Sequence, residues 1–236
     1  MSWLRVAGRA VAELLVACAC PGCGCDAPPG SLCAVCDAAI RAGPLVARQL
    51  AEGVPVVAAG GYEGPLRRLL LAYKEHGRRD LRDVLAALLV RNLDFLAATA
   101  DRIVVVPIPS TRTALRARGW EPVAELARAA AHAAVPPTRV ARLLRCRRTV
   151  ADQAALAATE RFVNLAGAYT VSPGMAARFR REQADPPRRT AVLVLDDIVT
   201  TGATLGEAVR ALRAGGVPVC GAVTVAATRL RRGGTC

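Results

Sequence analysis

The segment from Val192 to Thr204, VLVLDDIVTTGAT, combines residue types that could hold a phosphorylated sugar. Asp196 and Asp197 are adjacent carboxylates, and each can accept hydrogen bonds from a pair of vicinal hydroxyls. The small residues after them lead into a predicted helix, whose first backbone N–H groups are unpaired and whose dipole favours an anion. Glycine lets the backbone approach a phosphate closely, and threonine hydroxyls add donors. The pattern predicts a loop that binds ribose 5-phosphate, formed by Thr200, Thr201, Gly202, Ala203 and Thr204.

An ordinary helix cap is the simpler interpretation of this segment, since Asp and Thr are common capping residues. A cap needs only one such residue, whereas here two acids and three threonines surround one glycine. A Walker-type phosphate loop is excluded because no Gly-Lys-Ser/Thr sequence follows the glycine. The ribose-phosphate interpretation is therefore favoured.

Two Cys-x-x-Cys pairs near the N-terminus predict a second kind of site. Cys20 and Cys23 form the first pair, and Cys33 and Cys36 form the second. Four thiolates complete a tetrahedral shell around Zn²⁺ with no open position, so the predicted zinc is structural. Such local clustering favours metal binding in a reducing compartment over a disulfide framework. The register stays open, because Cys18 could replace Cys20, and either Cys18 or Cys25 could be a bystander.

The chain is strongly basic, with a net charge of +13 at pH 7 that is carried by arginine apart from one lysine, Lys74. This balance favours polyanionic partners: nucleic acid, acidic lipid or small phosphorylated ligands. A GC-rich genome and a solvated surface explain much of the arginine content, but less of its clustering. Aromatic residues make up only 3% of the chain, which argues against a stacking platform for single-stranded bases.

A sheet with helices between its strands is needed to bring these groups together. Apolar runs predict strands over Pro55–Ala59, Ile103–Val106, Val192–Leu195 and Val217–Val225, and helical spacing predicts helices over Pro65–Tyr73, Leu81–Leu96, Gly119–Ala134 and Leu205–Ala214. Strands and helices that alternate in this way predict an α/β fold with a parallel sheet. Asp196 and Asp197 then lie at the carboxyl end of their strand, where such sheets bind ligands. Residues 139–189 are polar and arginine-rich, and are predicted to cap the sheet without forming its core.

The N-terminal residues 2–17 have the apolar spacing of a short amphipathic helix. Leu15 to Cys18 resembles a lipoprotein cleavage box, but Glu13 interrupts an apolar run that is too short to span a bilayer. We therefore predict a cytoplasmic location without stable membrane insertion. The predicted domains are residues 1–45, with the helix and the cysteine cluster, and residues 46–236.

The two acids followed by TTGAT resemble the signature of type I phosphoribosyltransferases. A second stretch extends the resemblance: VVVPIP over Val104–Pro109, then Ser110, Thr111, Arg112, Arg116, Arg118 and Gly119, and later Arg147-Arg148-Thr149, Gln153, Arg161 and Asn164. Together with Tyr73-Lys74 and the four cysteines, this order resembles the ComF family of competence-associated, phosphoribosyltransferase-like proteins. The resemblance runs from about Cys20 to Val225.

The resemblance implies a type I phosphoribosyltransferase fold for residues 46–236, with phosphoribosyl pyrophosphate (PRPP) and Mg²⁺ as ligands. It implies that Asp196 and Asp197 hold the ribose hydroxyls and are the catalytic residues, while Thr200 to Thr204 hold the 5-phosphate. It implies a pyrophosphate site formed by Lys74, Ser110, Arg112, Arg116 and Arg118, and a hood over the ligand that carries Arg148, Gln153, Arg161 and Asn164. For Lys74, burial of its stem beneath Tyr73 is the structural alternative.

The ComF resemblance further implies a role in natural transformation, with single-stranded DNA and the DNA-uptake machinery as partners. The alternative is an active phosphoribosyltransferase of nucleotide salvage with no DNA role. His76 and His132 are the only histidines, and neither lies in a motif that makes it a general base. The sequence therefore predicts PRPP binding more directly than it predicts transfer of the ribose.

Overall fold

The computed structural model describes residues 18–147, 166–184 and 189–229. The strands are β1 (Cys18–Ala19), β2 (Asp26–Ala27), β3 (Val46–Gln49), β4 (Pro55–Gly61), β5 (Arg102–Pro107), β6 (Thr138–Val140), β7 (Leu144–Cys146), β8 (Tyr169–Val171), β9 (Thr190–Val199) and β10 (Gly221–Ala227). The helices are α1 (Ala34–Ala42), α2 (Gly64–Lys74), α3 (Arg82–Leu96), α4 (Arg112–Arg118), α5 (Pro122–Ala133), α6 (Pro173–Ala184) and α7 (Ala203–Ala214). The helix predicted over 2–17 and the hood residues Arg148, Gln153, Arg161 and Asn164 lie outside the described residues.

One sheet organises the chain, with six strands in the order β3-β4-β10-β9-β5-β6. Every neighbouring pair is parallel except β3 and β4, which are antiparallel. The short strands β1 and β2 pair with each other, as do β7 and β8. The predicted α/β fold with a parallel sheet and an N-terminal four-cysteine cluster is confirmed.

The chain winds in opposite directions on the two sides of β9. From β5 it passes through α5 to β6 at one end of the sheet, and from β9 it passes through α7 to β10 on the other side. Right-handed crossovers that run in opposite directions place their helices on opposite faces. The gap between the carboxyl ends of β5 and β9 is therefore a topological switch point, where open α/β sheets form a crevice for ligands.

Both faces of the sheet are buried, which explains the unbroken aliphatic run of β9. Leu193 and Leu195 belong to the core that includes residues of α2, α3 and α5. Val192 and Val194 belong to the core under α7. No helix within the described residues is long and apolar enough to cross a membrane.

Several boundaries differ from the predicted ones for identifiable reasons. Strand β9 continues to Val199, because it remains paired with β10 through Ala227. The predicted strand start at Val217 was wrong: β10 begins at Gly221, after a segment that contains Pro218, which has no backbone donor. Helix α5 begins at Pro122, because Gly119 adopts φ 71° and ends the preceding helix α4.

Residues 139–189 contribute to the core more than predicted. Strand β6 joins the main sheet beside β5, and Leu144, Tyr169 and Phe179 are buried in the core under α7. The polar composition of this region concealed the apolar residues because the elements that carry them are short. The described parts of this region thus pack in the core under α7 and also supply the edge strand β6.

Candidate functional site

Asp196 and Asp197 lie where β5 stops and β9 continues. The last paired residue of β5, Pro107, is opposite Leu195, and the next N–H, from Ile108, donates to the Leu195 carbonyl at 2.9 Å. The chain then turns away through Ser110, which opens space beside the two acids. A cavity of about 160 Å³ at this point is lined by Lys74, Ile108, Pro109, Ser110, Thr111, Ala114, Arg118, Pro122, Val123, Asp196 and Asp197.

Lys74 is the last residue of α2, and its ammonium forms an ion pair with Asp197 Oδ2. The side chain of Lys74 is 29% exposed, whereas that of Asp197 is 7% exposed. Burial lowers the pKa of Lys74, but the charge of Asp197 and its hydrogen bond oppose this, so that the net shift is upward. The cavity therefore contains a protonated amine that is held by a buried carboxylate.

Asp196 is buried beside a second carboxylate, which makes its ionisation unfavourable. Burial, and next the charge of Asp197, raise the pKa of Asp196 well above its ordinary value. The backbone N–H of Asp197 donates to Asp196 Oδ1 at 2.8 Å, which offsets part of this effect. Adjacent carboxylates resist simultaneous ionisation, and the ammonium of Lys74 lies against Asp197.

The turn after β5 brings only some of the predicted pyrophosphate ligands to the cavity. Ser110 and Arg118 line it together with Lys74, and Arg118 Nη2 donates to Glu75 Oε1 at 2.9 Å. Arg112 and Arg116 are exposed on α4 and do not line the cavity. Arg112 and Arg116 are four residues apart and share one face of α4, whereas Arg118 is two residues further along and lies on a different side. The helical period therefore separates Arg118 from the other two arginines.

The predicted phosphate loop connects β9 to α7. Gly202 caps α7 with φ 88°, a left-handed conformation that favours glycine. A Cβ at this position would also lie 2.7 Å from Leu50 Cδ2, so any other residue would require the Leu50 side chain to shift. Thr200 and Thr201 are exposed, Ala203 and Thr204 are half-buried, and Thr201 Oγ1 accepts from the N–H of Ala203 at 3.4 Å.

Arg48 is a neighbour of this loop that the sequence did not reveal. It lies on the edge strand β3, and its Nη1 donates to the Thr200 carbonyl at 2.8 Å. Burial lowers the pKa of Arg48. The antiparallel pairing of β3 with β4 brings it there, and four residues reading VARQ gave no sequence signal for that pairing.

The four predicted metal ligands are close enough to one another to hold a single ion. The Sγ atoms of Cys20, Cys23, Cys33 and Cys36 all lie within 4.8 Å of one another, and the Cys23 and Cys33 sulfurs are 3.6 Å apart. Tetrahedral zinc with Zn–S bonds of about 2.3 Å implies sulfur separations of roughly 3.8 Å. The geometry and the donor chemistry therefore both fit a closed thiolate site.

Backbone hydrogen bonds favour the thiolate form of Cys20, whereas burial raises the pKa of Cys36. The N–H groups of Cys33 and Gly22 donate to Cys20 Sγ at 3.3 and 3.4 Å. Burial opposes ionisation of Cys20, but these hydrogen bonds outweigh it and lower its pKa. Cys25 Sγ lies 3.1 Å from Cys23 Sγ, beside the four-cysteine group and outside it.

The cysteine cluster packs against the helix that carries Lys74. Arg68 Nε, on α2, donates to the Gly22 carbonyl. A Cβ on Gly22 would lie 2.7 Å from Cys36 Sγ, so the chain passes directly over the cluster at this glycine. Helix α2 thus contacts the cysteine cluster near Arg68 and places Lys74 in the cavity at its C-terminal end.

Comparisons with known proteins add little to this description. No protein-family model matches the chain, and no curated protein matches it. Among solved structures, the chain is similar to orotate phosphoribosyltransferase from Aeropyrum pernix, with 18% sequence identity, coverage of 76% of this chain and 73% of that chain, and a TM-score of 0.30. A similarity of this quality carries no functional inference.

Proposed function

We propose that the protein binds PRPP as a phosphoribosyltransferase-like protein. Asp196 and Asp197 bind the ribose hydroxyls, and Thr200 to Thr204 bind the 5-phosphate. The observation that carries the proposal is the shared cavity at the switch point, where two acids meet an ammonium and a guanidinium. Acids suit a diol and cations suit a pyrophosphate, so this combination fits both parts of the ligand.

Lys74, Ser110 and Arg118 are the proposed pyrophosphate ligands inside the cavity. The Ser110 hydroxyl donates to a phosphate oxygen, and the two cations neutralise its charge. Arg112 and Arg116 are exposed outside the cavity, and we propose that they act at longer range by attracting the anion. Arg148, Gln153, Arg161 and Asn164 retain their predicted role as hood residues.

In a transfer reaction, the bond between C1 of the ribose and the pyrophosphate oxygen breaks, and the electron pair leaves with pyrophosphate. The acceptor forms the new bond to C1, which passes through an oxocarbenium-like state. As a proposed ligand of the ribose hydroxyls, Asp197 would stabilise positive charge that develops on the ribose. Two carboxylates fit Mg²⁺, which binds through one or two carboxylates together with substrate phosphates and would neutralise the departing pyrophosphate.

The more specific part of the proposal is a ComF-type role in natural transformation. The order of motifs and the net charge of +13 support it, together with a thiolate cluster suited to structural zinc. In this role the protein is cytoplasmic and has single-stranded DNA and the DNA-uptake machinery as partners. An enzyme of nucleotide salvage that has no DNA role is the alternative, and the same cavity supports it equally.

Isothermal titration calorimetry with PRPP and Mg²⁺ tests the common core of both proposals. We expect the wild type to bind, and the Asp196→Asn, Asp197→Asn double variant to bind at least about tenfold more weakly, since hydrogen bonds to charged groups are lost. Asp94→Asn, an exposed change on α3, is the matched control and should bind normally. A wild type that does not bind PRPP disproves the proposal.

Two further measurements separate the DNA role from salvage. Pyrophosphate release from PRPP is followed with a panel of bases, amines and DNA, and binding of oligo(dT) is followed from low to high salt. Release with a free base, in the absence of affinity for oligo(dT) at low salt, favours salvage. Salt-dependent binding of oligo(dT) without such release favours the ComF-type role.

A further inference from the structure

A second cavity, of about 600 Å³, lies beside the C-terminal end of α7. Residues of β8, α6 and α7 and the Gly215-Gly216 turn line it. Pockets that hold small organic ligands have volumes of roughly 300–1,000 Å³, so this cavity has the size of a ligand site. Its lining shares no residue with that of the cavity at Asp197.

Three arginines line this cavity, namely Arg147, Arg180 and Arg210, and no acidic residue lines it among the described residues. Arg210 is held by Glu207, which accepts from Nε at 2.6 Å and from Nη2 at 2.7 Å. The side chain of Glu207 is only 5% exposed, and its Oε1 also accepts from the N–H of Tyr169. A buried carboxylate thus fixes the orientation of the guanidinium.

Arg180 is held by the turn that follows α7. Its Nη1 donates to the Gly215 carbonyl at 2.6 Å. Gly216 has φ 71°, and a Cβ there would lie 2.8 Å from the same nitrogen. A guanidinium has five N–H donors in a rigid fork, so this one bond orients Arg180 and leaves further donors for a ligand. The lack of a side chain at Gly216 therefore leaves room for the Arg180 guanidinium.

The local charge balance favours an anion. The three guanidinium groups carry three positive charges, against one negative charge on the nearby Glu207 carboxylate. The C-terminus of α7 adds only about half a negative charge. The apolar residues Val171, Pro173, Ala176, Ala211 and Ala214 form much of the remaining wall, together with Tyr169 and Thr170. The apolar part of the wall suits a flat ring. The cavity thus combines a phosphate site with an apolar surface.

We propose that this cavity binds a nucleoside monophosphate, with the phosphate among Arg147, Arg180 and Arg210 and the base against the apolar wall. The proposal does not rest on PRPP binding at the other site.

Calorimetry with AMP tests the proposal. AMP contains a ribose 5-phosphate and could enter the PRPP site, so the titration is performed on the wild type and on the Asp196→Asn, Asp197→Asn variant. We expect one AMP to bind to the double variant. Arg180→Ala in that background should weaken binding at least about tenfold, because it removes a charge-assisted contact. Arg181→Ala, an exposed neighbour on α6 that does not line the cavity, should leave it unchanged.

Loss of AMP binding in the acid double variant with normal binding in Arg180→Ala would place AMP at the other site and overturn the proposal. Equal affinities of Arg180→Ala and Arg181→Ala would overturn it as well. If the double variant does not fold, as judged by circular dichroism, the comparison is made in the wild type with Arg147→Ala as a second cavity variant. Unchanged AMP binding in both cavity variants is then the contradicting result.

Titrations with inorganic phosphate, adenosine and oligo(dT) distinguish a free mononucleotide from other ligands that carry a phosphate or a base. Phosphate and adenosine should each bind more weakly than AMP, because each fills only one part of the cavity. Phosphate that binds as tightly as AMP would refute the role of the apolar wall. Oligo(dT) that binds more tightly than AMP and is lost in Arg180→Ala would refute a free mononucleotide as the ligand.

Discussion

Replacement of Lys74 by methionine removes one charge from the site while keeping the length of the side chain. In the native protein the ammonium neutralises the Asp197 carboxylate, whose side chain is 7% exposed. Methionine cannot donate a hydrogen bond or carry charge, so Lys74→Met leaves a buried anion beside Asp196, itself buried. We expect Lys74→Met to change both the stability of the protein and its affinity for PRPP.

The magnitude follows from the burial of the pair. Removal of one partner from a fully buried ion pair costs about 3–5 kcal/mol. Lys74 is 29% exposed and borders an open cavity, so water reaches the carboxylate, and we expect a loss of about 2–3 kcal/mol of unfolding free energy at pH 7. Because the pKa of Lys74 is raised from an already alkaline value, this contribution is fully present at neutral pH and is lost only as pH rises through the folded-state pKa.

Urea denaturation of Lys74→Met, Asp197→Asn and the double variant measures the coupling between the two residues. The double variant should be more stable than Lys74→Met, since it no longer has an unpaired buried charge. Arg41→Met is the control, because it breaks an exposed ion pair with Asp37 that should contribute less than about 1 kcal/mol. The reasoning is refuted if Lys74→Met costs no more than the control, or if the two single effects simply add.

Three other perturbations have definite expected outcomes. Gly202→Ala should lower the free energy of unfolding by about 1–3 kcal/mol, because Gly202 has a left-handed backbone conformation. The loss should exceed that of Gly53→Ala, since a Cβ at 202 meets Leu50 whereas one at 53 meets nothing within 4 Å. Thermal denaturation of the two variants compares these losses. Cys33→Ser should lower the zinc content, measured by mass spectrometry, well below one ion per chain, together with the melting temperature. The raised pKa of Asp196 means that the folded state binds this proton more tightly, so stability should fall as pH rises above about 4, the unfolded value. Asp196→Asn should remove that part of the pH profile, and an identical profile in the variant would contradict the assignment.

The central strands and helices were predictable because their signals are local. A strand buried on both faces has a continuous run of aliphatic residues in the sequence, as β9 does. Helix α7 begins directly after Gly202, which marks its start in the sequence. The strand ends were less predictable. Asp196 lies within β9 because a neighbouring strand keeps pairing beyond it, and pairing between distant segments leaves no mark in a local pattern.

The sequence predicted which types of residue form the site, but not the contacts and orientations of their side chains. The sequence singled out Lys74 because it is the only lysine, yet its ion pair with Asp197 depends on how α2 packs on the sheet. Arg112 and Arg118 looked equivalent in the sequence, and only the rotation of α4 separates them. Arg48 was missed altogether, because it reaches the phosphate loop from an edge strand distant in sequence.

A protein with one lysine has a single ε-amine, and here it belongs to the proposed binding site. Lys74 and the terminal amine are therefore the amines that acylating reagents can modify, and α-amino groups are distinguished by their lower pKa. The pairing with Asp197 keeps the ε-amine protonated and slows its acylation, and an anion bound beside it would slow acylation further. The rate at which Lys74 is acylated therefore measures ligand occupancy of the site in the protein without any substitution.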